Sequence, residues 1–270
     1  MKNIIIGKES NLSNQIFSNL NNSIIISSRN ILGELKLIDN EKNYKLNIII
    51  NSFQPSTSLN DLSNPIDYIN NSILVSSIIL NKIKNFKINK VLYTSSSSVY
   101  GNNKLCNEND QVKPDNLHSS LKLANEKLIE SFCIKNNIDY TIARIFNMYG
   151  ANDKFSIISK LISSVKDGNI INLINNGQSV RDYIFIEDVV KIYKILLERN
   201  DIKTINIGSG IGHSVLDIIR IIKKYGFNIQ TKNIYADEIK ISIAAIEKLS
   251  TIIDTSKFLK LDTYIKDTLK

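Results

Sequence analysis

The sequence predicts an α/β fold: a doubly wound parallel sheet followed by a small C-terminal α/β lobe. Three observations predict it. Short β-branched or apolar runs alternate with amphipathic segments over the first 150 residues, the runs are bounded by polar turns, and the rhythm loosens after Gly150. Runs without polar alternation read as strands covered on both faces, as in parallel sheets. Repeated strand–helix–strand units imply right-handed crossovers and helices on both sides.

The elements follow in order. Ile4–Ile6 and Ile24–Ile26 are the first strands. Between them Leu12, Ile16, Phe17 and Leu20 recur at helical spacing, with Ser10 or Ser13 as N-cap. Asn47–Ile50, Lys90–Tyr93 and Thr141–Phe146 are further strands, and residues 66–84 and 117–136 form two longer helices. Past Gly150, Ile157 to Val165 make a helix closed by Gly168. Ile170–Ile174 and Tyr183–Ile186 are short strands, 187–199 a helix and Thr204–Ile207 a strand. Ser214-Val215-Leu216-Asp217 reads as a capping box opening a helix that stops at Gly226. Residues 1–150 are thus expected to form the sheet domain and 151–270 the lobe, with the two interleaved.

Composition excludes several classes. A hydrophobic content of 43% over 270 residues supports a sizeable core. The net charge of +8 comes from Lys and Arg spread along the whole chain, so no nucleic-acid face is expected. Two cysteines, Cys106 and Cys133, and two histidines give no metal-ligand spacing. No apolar stretch is long enough for a signal peptide or a membrane span, so the expected location is cytoplasmic.

Three segments carry chemistry. Gly7-Lys8-Glu9-Ser10-Asn11-Leu12-Ser13 joins the first strand to a helix, a phosphate-binding arrangement in which backbone N–H groups and the helix dipole meet a pyrophosphate. Gly7 holds the first glycine position of the dinucleotide pattern; Ser10 and Ser13 hold the other two. Arg29, at the end of the second strand, favours the 2′-phosphate of NADP over the 2′-hydroxyl of NAD. Val91 to Gly101 delivers a row of hydroxyls, Thr94 to Ser98, at the carboxyl end of a buried strand.

That serine-rich strand end resembles the extended short-chain dehydrogenase/reductases, the NAD-dependent epimerase/dehydratase group of nucleotide-sugar enzymes. The resemblance continues in order. Leu117 to Glu126 is similar to the Tyr-x-x-x-Lys helix, and Arg144-Ile145-Phe146-Asn147-Met148-Tyr149-Gly150 to the next strand and substrate loop. Gly177 to Val189 is similar to the diphosphate-binding stretch, and Asn206 to Gly210 to a late strand and turn. The resemblance implies a Rossmann-like NAD(P)-binding domain over 1–150 and a substrate-binding lobe over 151–270. Ser96 would bond the sugar oxygen, and Lys122 the nicotinamide ribose. Gly7, Ser10, Leu12 and Arg29 would bind the cofactor, NADP or NAD. Ser97, Tyr100, Asn147 and Arg181 would line the substrate site, Arg181 pairing with the diphosphate. Asn147 and Arg181 also read as a turn cap and a surface ion pair. The implied activity is epimerisation or a related oxidoreduction of a nucleotide diphosphate-sugar in surface polysaccharide biosynthesis, by a homodimer formed through helices 66–84 and 117–136. A 4-keto-6-deoxy-sugar reductase and a non-catalytic nucleotide-sugar-binding homologue are the alternatives.

The chain departs from the pattern at its centre. His118 stands at the tyrosine position, four residues before Lys122 and on the same helical face. It reads as a working base, as a bystander while Ser96 acts through water, or as the mark of lost redox chemistry. Ser97-Ser98 stands where 4,6-dehydratases carry an acidic pair, and Ala245 where an aspartate is expected. The stretch between the second strand and Asn47 is short, so part of the cofactor-flanking region is trimmed.

Overall fold

The computed structural model describes residues 1–51 and 65–270. The chain runs β1 (Lys2–Ile6), α1 (Asn11–Asn19), β2 (Ser23–Ile26), α2 (Ile31–Asp39), β3 (Leu46–Ile50), α3 (Pro65–Ile69), α4 (Val75–Ile83), β4 (Ile88–Ser96), β5 (Leu105–Cys106), α5 (Leu117–Lys135) and β6 (Asp139–Ile145). It continues with β7 (Asn147–Tyr149), α6 (Ile157–Asp167), β8 (Ile171–Ile174), β9 (Val180–Phe185), α7 (Ile186–Glu198), β10 (Thr204–Ile207), β11 (Gly212–Ser214), α8 (Val215–Lys224), β12 (Thr231–Ile234), β13 (Ile241–Ala244), α9 (Glu247–Ser250) and α10 (Leu261–Leu269). Two compact units result: Met1–Val99 with Val112–Arg144 and Val190–Ile205, and Tyr100–Gln111 with Ile145–Val189 and Asn206–Lys270.

The first unit is built on a sheet of order β10-β6-β4-β3-β1-β2. β1 pairs in parallel with β2 and β3, and β3 with β4, in registers that set Ile4 beside Ile24 and Ile48. Isoleucine serves both faces: Ile4, Ile5, Ile6, Ile48, Ile49 and Ile50 are all fully buried. Each such side chain contributes about 2 kcal/mol of burial. Among the described residues the two-one-three order lacks one strand of the usual dinucleotide order three-two-one-four. The chain instead passes from β2 through α2 straight back to β3, which is the structural form of the trimmed region.

Helix α3 and helix α4 are one helical run joined by a π-helical turn, Asn70–Leu74. Helix α5 opens on a capping box: Asn116 Oδ1 accepts from Ser119 N at 2.9 Å while Ser119 Oγ accepts from Asn116 N at 3.2 Å.

In the second unit the sheet runs β11-β9-β13-β5, with β7 also on β9, and β8 pairs with β12. Its core gathers Tyr149, Leu161, Tyr183, Ile218 and Ile265 from β7, α6, β9, α8 and α10. The anticipated capping box forms at Ser214–Asp217. Gly168 closes α6 in the left-handed region at φ 71°. Ile186 begins α7 rather than ending a strand.

Candidate active site

β1 leads through α1 to β2 on one side, and the chain then returns to β3 on the other side of β1. Doubly wound sheets place their ligand crevice where the order reverses, at the carboxyl ends of the strands. Gly7 follows β1 there, with φ 114°, a region that penalises a Cβ. The N–H groups of Gly7 and Lys8 both donate to Ile26 O, at 2.9 and 3.0 Å, pinning the loop to the end of β2.

The two serines of the loop are absorbed by hydrogen bonds. Ser10 is the N-cap of α1, its Oγ accepting from Ser13 N at 3.4 Å. Ser13 is fully buried, and its Oγ accepts from Asn51 Nδ2 at 3.0 Å. Asn51 Oδ1 accepts in turn from Thr94 Oγ1, which lies 2.7 Å from the Tyr193 hydroxyl. One chain of polar contacts therefore joins the loop to the ends of β3 and β4 and to α7. Leu12 is buried beneath it. A glycine in the left-handed region and a helix N-terminus suit a pyrophosphate, so this loop fits a dinucleotide.

Arg29 is exposed, two residues after Ser27, which holds two acids. Ser27 N donates to Glu34 Oε2 at 2.6 Å and Ser27 Oγ to Glu9 Oε1 at 2.5 Å. The end of β2 thus offers carboxylates as well as a guanidinium to a ribose.

His118, Lys122, Asn125 and Glu126 share the inner side of α5. Lys122 is 4% exposed, and its Nζ donates to Thr94 O at 2.8 Å, two residues before Ser96. Burial pulls its pKa down to about 7, against the pull of the Glu126 carboxylate. His118, one turn earlier, has its pKa drawn down to about 4 by burial and then by the Lys122 charge. Its Nδ1 lies 3.0 Å from the hydroxyl of Tyr68 on α3. Glu126 takes two bonds from Arg144, at 3.0 and 2.7 Å, and one from Ser95 Oγ. Ser96 Oγ accepts from Ser98 N at 3.2 Å, and Ser97 lies partly buried on the following turn.

The remaining positions belong to the second unit. Tyr100 is buried, its hydroxyl donating to Asn206 Oδ1 at 2.7 Å. Asn147 Nδ2 donates to Asp182 O at 3.1 Å. Arg181 donates to Val180 O at 2.9 Å and faces Glu238 at 3.6 Å. Asp182, fully buried between them, accepts from Ser209 N, Ser209 Oγ, Gly210 N and Ala244 N. Among the described residues no group of three or more His, Cys, Asp or Glu could hold a metal ion.

The structure thus brings Gly7, Ser10 and Leu12 together, and His118 with Lys122. Sequence reasoning missed Tyr68, Asn51, Glu126 and Tyr193. Glu126 follows Lys122 by one helical turn and could have been found that way. The other three contact their partners across 38 to 99 residues, where no periodicity points.

Residues 10–208 match the model of the NAD dependent epimerase/dehydratase family. The chain belongs to that family. A dTDP-D-glucose 4,6-dehydratase of Dictyostelium discoideum is 27% identical over 191 residues, 65% of this chain and 44% of that protein. A UDP-glucose 4-epimerase of Mycoplasma genitalium is 27% identical over 244 residues, 77% of this chain and 72% of that one. The match covers 44% and 60% of the first two curated relatives, so against these the epimerase/dehydratase chain spans about half their length. Solved structures share the fold. UDP-glucuronic acid 4-epimerase from Bacillus cereus, in complex with UDP-glucuronic acid and NAD, superposes with a TM-score of 0.84 at 21% identity, covering 100% of this chain and 99% of that one. MoeE5 in complex with UDP-glucose and NAD gives 0.89 at 20% identity, covering 100% and 97%.

Proposed function

We propose that this family member is an NAD(P)-dependent epimerase, or a related oxidoreductase, of a nucleotide diphosphate-sugar. The observation that carries the reading is Lys122, buried against Thr94 O at the mouth of the sheet with His118 one turn away. A lysine is held there at a desolvation cost, as expected of a group that serves a ligand. The relatives named above act on dTDP- and UDP-sugars, and the solved neighbours carry NAD.

The residues divide the task. The Gly7 loop and the start of α1 would receive the pyrophosphate, and Lys122 the nicotinamide ribose. A bound nicotinamide would supply hydride exchange at a sugar carbon. Ser96 holds the sugar oxygen, and His118 exchanges its proton. Asn147 and Arg181 bind the nucleotide diphosphate, Arg181 exchanging Glu238 for phosphate. Ser97 and Ser98 offer hydroxyls rather than the acids that dehydration needs. Tyr100 would line the substrate site through its ring, since its hydroxyl is committed to Asn206. A place in surface polysaccharide biosynthesis follows from the resemblance to nucleotide-sugar enzymes.

The same reading includes a homodimer through α3, α4 and α5. Ile66, Ile69 and Leu74 are exposed on that helical run at 67%, 44% and 46%, an apolar patch suited to a second copy. The activity is tested by incubating the protein with NAD and UDP-, dTDP- or GDP-hexoses and following the sugar carbons by NMR. Appearance of an epimer supports the reading. Saturable cofactor binding without turnover of any of them would make the chain a binding homologue.

A further inference from the structure

We propose that Tyr68 is a positioning residue that fixes His118 in its Nε2–H tautomer, so that the site rests ready to protonate a keto sugar rather than to deprotonate an alcohol. The proposal rests on the reading of His118 as the proton-exchanging group.

The geometry is specific. Tyr68 is 5% exposed, and its hydroxyl lies 3.0 Å from His118 Nδ1. The contact is fixed from both helices. Directly after Tyr68 the helix widens into the π-helical turn Asn70–Leu74, a local irregularity that often marks a functional site. Ser72 in that turn is held by α5, Asn125 Nδ2 donating to its Oγ at 2.9 Å. Tyr68 and Ser72 on one helix thus meet His118 and Asn125 on the other, and Lys122 lies between the two contacts.

The direction of the bond follows from the chemistry of the partners. A phenol is a far better donor than a neutral imidazole N–H, and an imidazole nitrogen a better acceptor than a phenol oxygen. Both groups are neutral at pH 7: burial raises the Tyr68 hydroxyl above its ordinary value and lowers the imidazole. Tyr68 O–H therefore donates to Nδ1, and the ring hydrogen resides on Nε2.

A balanced step follows for reduction. A bound reduced nicotinamide would supply the hydride of the new C–H bond, and His118 would give its Nε2 proton to the carbonyl oxygen. Nδ1 takes the proton of Tyr68 as its O–H bond breaks, leaving neutral imidazole and a phenolate that takes a proton back from water before the next turnover. The proton released is thus that of a phenol, although residue 118 is a histidine. Oxidation of an alcohol would first need the opposite tautomer or an ionised Tyr68.

The test needs no turnover. The chain has two histidines, His118 and His213, so two-bond ¹H–¹⁵N spectra of ¹⁵N-histidine protein resolve each ring, with His213→Gln for assignment. The expected result is a protonated Nε2 and a hydrogen-bonded, unprotonated Nδ1 on His118, and a shift of Nδ1 toward the mixed-tautomer position in Tyr68→Phe. A protonated Nδ1 in the wild-type protein overturns the proposal, whatever becomes of the variant. In kinetics, Tyr68→Phe should lower kcat for NADPH reduction of a 4-keto-6-deoxy nucleotide sugar at least about tenfold with KM unchanged; an unchanged kcat also overturns it. If the tautomer is as stated but His118→Ala keeps full turnover, the reading of His118 fails and the Tyr68 contact remains structural.

Discussion

His118 and Lys122 lie one turn apart on α5, and burial acts on both in the same direction because each is a base whose charged form loses water. The imidazole falls from 6.5 to about 4 and the ammonium from 10.5 to about 7. In both windows the unfolded chain binds a proton that the folded chain does not. Each group thus contributes stability that is present above its unfolded value and lost as pH falls toward its folded value. For Lys122 that window is pH 10.5 down to about 7. Lys122→Met should flatten the fall of Tm across it, measured by thermal unfolding at pH 9.5 and 7; an unchanged slope would contradict the account. His118→Ala should lower turnover by about 10²- to 10⁴-fold while cofactor affinity holds, as removal of a proton-transfer group does. Little of this was legible in the sequence. The spacing of His118 and Lys122 was, because a helix imposes it. Tyr68 was not, because its partner lies 50 residues away.

At the scale of elements, the strands of the main sheet were legible because both faces are buried and isoleucine fills them. Helix α2 was not, since Gly33 interrupts it and Asn30 caps it without a side-chain hydrogen bond. Strands β5, β7 and β11 were also hidden: each has two or three residues, and pairing with β9 or β13 rather than local pattern defines them. Ser10 and Ser13 stand at the second and third glycine positions of the phosphate loop. The structure shows why they are tolerated: one caps α1 and the other bonds Asn51. Gly208 is a stricter position. A Cβ there would stand 2.6 Å from Asp182 Oδ2 and 2.7 Å from Ala244 Cβ. Gly208→Ala should cost about 1–3 kcal/mol by overpacking, read from urea unfolding. Glu126→Ala should cost more, about 3–5 kcal/mol, because it leaves the Arg144 charge buried without its carboxylate.

For the whole molecule, the order of strands and the family match at residues 10–208 concern the same feature, a dinucleotide fold with its first half shortened. The exposed apolar residues of α3 and the π-helical turn give the proposed homodimer its test. Ile69→Glu should convert a dimer to a monomer in light scattering without changing the circular dichroism. The central claim is that this shortened fold, with serines in its loop and histidine on α5, still holds a nicotinamide. Titration of the protein with NADH and with NADPH, followed by nicotinamide fluorescence, tests it most directly. The account predicts saturable binding of at least one of them, weakened at least tenfold by Lys122→Met. No binding of either up to millimolar concentration would contradict it.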